Sequence, residues 1–179
     1  MKRVKGLWLF IWVFVLIPHG AFAQQQWSQG YWTPWGNPGI PADAIEWGGL
    51  THVVHAWALV RPDGSLDLDT QLISSQGPVL IANAHAHGVK ALLGIGQPYW
   101  MGQTTNLQSA ISTNRAGLVN NIINVVNSYG FDGVDLDWEP FSPSTNGGAL
   151  QAFAADLRAR LGTTKTLSAA AIVSDYTYW

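Results

Sequence analysis

The chain has 179 residues, no cysteine, a formal net charge of −2 and only 11% charged residues. Disulfide stapling and thiolate metal sites are therefore excluded, and there is no basic surface of the kind that nucleic acid or anionic lipid requires. What the composition does offer is 10 tryptophans, large flat rings suited to stacking on apolar faces such as those of sugars.

At the N-terminus, Lys2, Arg3 and Lys5 precede an apolar run over residues 7–17, and Ala21-Phe22-Ala23 supplies small residues around a cleavage point. This pattern predicts a secretory signal peptide over residues 1–23, hence an extracellular or periplasmic product with no membrane segment left after cleavage. The run is shorter than the roughly 20 apolar residues that span a bilayer. Trp8 and Trp12 fall within it and do not count toward the mature protein. Residues 24–179 are expected to form a single domain, short of the ~250 residues typical of an eight-stranded (β/α) barrel.

Beyond the leader, short β-branched runs alternate with helical patterns, the order expected of βαβ units on a parallel sheet. Strands are predicted at 29–33, 51–59, 89–95, 133–137 and 166–173, and the near-continuous apolar stretches HVVHAWALV and VKALLGIG suit strands covered on both faces. Residues 61–69, RPDGSLDLD, carry Asp63-Gly64 and read as a turn or small hairpin, with a calcium loop as the other reading. Helices are predicted at 78–87, 114–129 and 148–161. In the longest of them Leu118, Ile122, Val125, Val126 and Tyr129 recur on one face, and Gly88, Gly130 and Gly162 each follow a helix where a left-handed residue is wanted.

The segment with the most chemistry is FDGVDLDWE at residues 131–139. In a strand its side chains alternate, so Asp135, Asp137 and Glu139 share one face while Val134, Leu136 and Trp138 take the other. Same-face neighbours lie roughly 6.5–7 Å apart, so three carboxylates in a poorly solvated row do not all ionise cheaply. A proton shared by Asp135 and Asp137 is expected to keep Glu139 partly protonated, as a general acid requires. Two other readings fit the same row: a site for a hard cation such as Mg²⁺ or Ca²⁺, and a solvated acidic edge. Asp132 has the opposite parity and is expected to fix the start of the strand, beside Gly133, through backbone hydrogen bonds. His52 and His55 face opposite sides of a strand and His85 and His87 do not share a helix face, so no histidine-ligated metal is predicted.

Residues 132–139, DGVDLDWE, resemble the signature strand DxxDxDxE of glycoside hydrolase family 18. GYWTPW from Gly30, THVVHAW from Thr51 and VKALLGIG from Val89 resemble that family's first three strands in order and spacing. The resemblance implies a (β/α)8 barrel of which the chain carries about the first five βα units. It also implies retaining hydrolysis of β-1,4-linked N-acetylglucosamine polymers, assisted by the substrate's own N-acetyl group and needing no cofactor or metal. In that scheme Glu139 protonates the leaving oxygen, Asp137 orients the acetamido group and Asp135 tunes Asp137. Tyr31 and Trp57 line the sugar site, and Trp35, Tyr99 and Trp100 are candidates for stacking on neighbouring sugars.

Two departures accompany the resemblance. The family's Ser-x-Gly-Gly on the third strand is Gly94-Ile95-Gly96-Gln97 here, and the sequence ends at Trp179, shortly after the fifth strand. Tyr176 and Tyr178 do not replace the tyrosine and tryptophan that the family's later strands supply. The chain is accordingly expected to be a fragment, poorly soluble or inactive by itself. An endo-acting enzyme on glycoprotein glycans, a secreted chitin-binding lectin and a non-functional fragment are the other readings.

Overall fold

The computed structural model of the chain describes residues 26–35, 39–97, 105–138 and 143–170. The segment read as a signal peptide lies outside the described residues, as do Tyr99, Trp100, Glu139, Tyr176 and Tyr178. Six strands form one sheet: β1 (Gln29–Trp32), β2 (His52–Val60), β3 (Leu66–Asp67), β4 (Lys90–Gln97), β5 (Gly133–Trp138) and β6 (Thr166–Ala169). Their order is β1-β2-β4-β5-β6, every pairing along that path is parallel, and β3 pairs antiparallel with the end of β2. Helices α1 (Ile73–Ala86), α2 (Asn106–Tyr129) and α3 (Pro143–Leu161) make the crossovers. The result is an open part of a (β/α) barrel whose outer strands along the path are β1 and β6.

Alternation along each strand divides the sheet into two faces. Val134, Leu136 and Trp138 of β5 join Leu118, Ile122, Val126, Phe153 and Leu157 in the apolar layer between sheet and helices. Asp135 and Asp137 therefore point to the concave side, which in this architecture is the barrel interior. β2 is buried at all nine positions, as a strand covered on both faces must be. Its register against β4 shifts between His55 and Ala58. Val53 lies in the helix-side layer before the shift, and Ala58 and Val60 lie in it afterwards. Strict alternation from Val53 would have sent Trp57 to the helix side; the extra residue releases it to the interior.

All three helices begin earlier than the sequence predicts, α3 at Pro143 rather than at 148. Pro78 reads as a first-turn proline, yet α1 already runs from Ile73 with Pro78 inside it. Pro78 and Ser74 are both exposed, so the carbonyl deprived of its partner faces water. Asn114, the predicted start of the longest helix, is a break inside α2, at φ −149° and ψ 45°. Its side-chain amide donates to the Asp63 carbonyl at 2.8 Å, and Asn121 donates likewise to Gly64 at 2.9 Å. These bonds pin the 61–69 hairpin onto α2. In that hairpin Asp63 accepts from Ser65, and Asp67 accepts from Asp69, Thr70 and Arg61, so both carboxylates are committed to the loop's own donors. Gly88, Gly130 and Gly162 all have positive φ, each just beyond a helix.

One buried polar group runs against the apolar layer. His55 is fully buried edge-on to Trp32, with ring centroids 5.1 Å apart, and neither ring nitrogen finds a hydrogen-bond partner among the described residues. Burial lowers its pKa from 6.5 to about 4. Between those two values the unfolded chain binds a proton that the folded chain refuses. Stability therefore falls as the pH drops through that window and falls no further, on this account, below it. A displacement of that size corresponds to about 3 kcal/mol. In His55→Leu, the loss of urea resistance between pH 7 and pH 4 is expected to shrink by up to about 3 kcal/mol relative to the parent. An unchanged pH dependence would contradict this account.

Candidate active site

The concave face is organised around Asp135. Its side chain has no solvent exposure, and a buried carboxylate is tolerated only where donors surround it. Three do so. Tyr31 donates to Oδ2 at 2.7 Å, while Gln29 Nε2 at 3.0 Å and Ser168 Oγ at 2.5 Å both donate to Oδ1. Gln29 and Tyr31 come from β1 and Ser168 from β6, so a residue in the middle of the chain draws the two outer strands together. Across a flat sheet those strands would be separated by four inter-strand steps, about 19 Å. Ser168 Oγ nonetheless lies 3.4 Å from Gln29 Oε1, which requires the sheet to curl as a barrel wall does.

Tyr31 takes its place from this contact. Its hydroxyl faces Asp135 and its ring is 44% exposed. Burial of the hydroxyl, the hydrogen bond to Asp135 and the charges of Asp135 and Asp137 drive the phenol's pKa well above its ordinary value, against a small opposing effect of Gln29. The group stays protonated and keeps donating. Trp57 lies beside it with ring centroids 6.4 Å apart, and Trp35, 41% exposed, also has its ring centroid 6.4 Å from that of Trp57. Trp57 itself is only 6% exposed. The three rings form a wall rising from a buried base to an exposed rim.

Position 94 explains how Trp57 fits. A Cβ there would lie 2.8 Å from the His55 carbonyl oxygen and 3.0 Å from Trp57 Cδ1, so the indole and the β2 backbone use the space that a serine would need. Asp137 is partly exposed, one step nearer the carboxyl end of β5 than Asp135. Glu139, the next residue of the same parity, and Trp100 lie outside the described residues. Asp132 stands apart at the other end of the strand. Its backbone N–H donates to Ala91 O at 2.7 Å, and its Oδ2 accepts from Ala91 N at 2.8 Å and lies 2.7 Å from His85 Nε2. It ties β5 to β4 and to the end of α1. Beside it, a Cβ on Gly133 would sit 2.1 Å from Thr166 O, so only glycine lets β6 approach.

Sequence reasoning placed Tyr31 and Trp57 on the concave side but missed Gln29 and Ser168. The signal for Gln29 was its parity with Tyr31, and for Ser168 a hydroxyl set between Leu167 and Ala169. His52 and His55 make separate aromatic contacts, with Trp27 and Trp32, and His85 and His87 reach Asp132 and Trp47 respectively. Among the described residues no group of three or more His, Asp or Glu side chains is arranged to hold a metal ion.

The family model for Glycosyl hydrolases family 18 matches residues 28–178, and the chain belongs to that family. A chitinase-like effector of Moniliophthora roreri is 32% identical over 114 residues, covering 63% of this chain and 27% of that protein. The crystal structure of a chitinase from Bacteroides thetaiotaomicron superposes with a TM-score of 0.67 at 26% identity, over 79% of this chain and 45% of that one. The fold is shared as well by a chitinase-like agglutinin of Robinia pseudoacacia, with a TM-score of 0.68 at 22% identity, over 79% of this chain and 45% of that one. The chain thus spans less than half the length of these relatives.

Gly94→Ala is expected to displace the Trp57 indole and to destabilise the protein by about 1–3 kcal/mol, as overpacking of a filled site does. The displacement is read as a change in tryptophan emission that is absent when the same substitution is made in a Trp57→Phe background. A parent-like urea midpoint and spectrum would refute the fit described here.

Proposed function

We propose that the site belongs to a secreted glycoside hydrolase acting on β-1,4-linked N-acetylglucosamine, in chitin or its oligosaccharides. The observation that carries this reading is the position of Asp135, saturated with donors at the base of a carboxylate row that leads toward the carboxyl end of β5. Barrel enzymes perform their chemistry at that end. Asp137 follows it outward, and Glu139 has the same parity in the sequence. Glu139 acts as the general acid, protonating the glycosidic oxygen, and the like charges below it favour retention of its proton. Asp137 orients the substrate's acetamido group, whose oxygen attacks the anomeric carbon, so no protein nucleophile is needed. Tyr31, Trp57 and Trp35 supply faces on which sugar rings stack, and Trp100 is a further candidate from the sequence.

In this reading residues 1–23 direct export, and no helix among the described residues is long and apolar enough to cross a membrane. Sugar binding without turnover is the second reading, supported by the exposed Tyr31 and Trp35 and by a relative described as a chitinase-like effector.

The two readings separate on Glu139→Gln in the full-length gene product. Hydrolysis of soluble chitin oligosaccharides is expected to fall by roughly 10²–10⁴, the usual contribution of a positioned general acid, while oligosaccharide binding survives. Turnover as fast as the parent's would end the assignment of Glu139 as the general acid, and a parent that binds without turnover would favour the second reading.

A further inference from the structure

We propose that Gln29 and Ser168 are positioning residues that lock the Asp135 carboxylate in one orientation and, through it, set the Tyr31 ring in the site. Their purpose rests on the hydrolase reading; the clamp itself rests on geometry alone. Gly94, Asp135 and Ser168 occupy one register row across β4, β5 and β6. On the β4 side of that row there is no side chain and no room for one, because a Cβ at 94 meets the His55 carbonyl oxygen and Trp57. The hydroxyl of the row is supplied from the opposite side, by Ser168.

Each oxygen of Asp135 has a different task. Oδ2 accepts a hydrogen bond from the Tyr31 hydroxyl, and that bond alone would leave the carboxylate able to rotate about its side-chain bonds. Oδ1 accepts from two donors on different strands, Ser168 Oγ on the adjacent strand and Gln29 Nε2 on β1. Three donors on two oxygens fix the plane of the group. Ser168 and Gln29 also lie within 3.4 Å of each other, so the two halves of the clamp close as one unit. A fixed Asp135 in turn fixes Tyr31, whose ring stands 6.4 Å from Trp57 with its plane tilted by 40°. Gln29 and Ser168 do not themselves touch substrate in this arrangement. They act through Asp135.

The clamp is tested without turnover, in the full-length protein, by the solvent exchange of the Tyr31 hydroxyl proton. Its NMR resonance is identified as the one lost in Tyr31→Phe. Exchange is expected to accelerate about tenfold in Ser168→Ala and in Gln29→Ala, roughly the effect of one neutral hydrogen bond. It should return to the parent rate in Ser168→Thr, which keeps the hydroxyl in a strand. Parent-like exchange in both alanine variants, or a Ser168→Thr variant that exchanges as fast as Ser168→Ala, overturns the proposal. Should Ser168→Ala fail to fold, Gln29→Ala on the outer strand carries the same test. Loss or retention of hydrolysis in Glu139→Gln bears on the hydrolase reading and leaves this result unaffected.

Discussion

A carboxylate without solvent exposure is the constraint on which the rest of the structure depends. Removing Asp135 from water costs several kcal/mol unless hydrogen bonds replace its hydration, and β5 offers none on that face, because its neighbour of the same parity is another acid. The donors have to come from other strands. They come from β1 and β6, the outer members of the parallel path. Satisfying one buried charge is thereby coupled to the curvature of the sheet, since the donors reach it only if the wall bends through most of the distance a flat sheet would place between them. The electrostatics of the site and the geometry of the barrel are a single requirement.

The opposite face obeys the complementary rule. Apolar residues of β2, β4 and β5 meet the helices, and the register shift in β2 exchanges the parity of that strand midway, so that Val53 and Val60 both serve the helix-side layer while Trp57 serves the interior. His55 is the polar exception in this layer. It is held neutral by burial, and its contact with Trp32 packs the base of the wall that bears Tyr31.

Much of this was legible in the sequence because it is local. The alternation of residues 133–138 placed the acids and the apolar residues on opposite faces, and the glycines beyond the helices marked ends that the dihedral angles bear out. The helix starts were misread where one residue carried two meanings. Pro78 suits a first turn, yet it is tolerated inside α1 because the freed carbonyl faces water. Asn114 suits a helix start and does begin a new segment, but another helical stretch precedes it without a gap. The contacts of Asp135 were not legible at all. Gln29 and Ser168 are 139 positions apart, and only the curl of the sheet brings them together. The placement of Trp57 was reached through family resemblance, since strict period-two reasoning from Val53 sends it to the wrong face.

The division of the acidic row follows from these commitments. Both oxygens of Asp135 are occupied by the scaffold, and Tyr31 spends its only proton on Oδ2, so toward the open side of the site it presents a ring face and a lone pair. A sugar hydroxyl meeting Tyr31 must donate to it. The deepest layer is therefore chemically closed, and its effect on anything bound above is exerted through charge and position. Solvent access begins at Asp137, one layer higher. Asp135 is kept at the base, where three donors hold it.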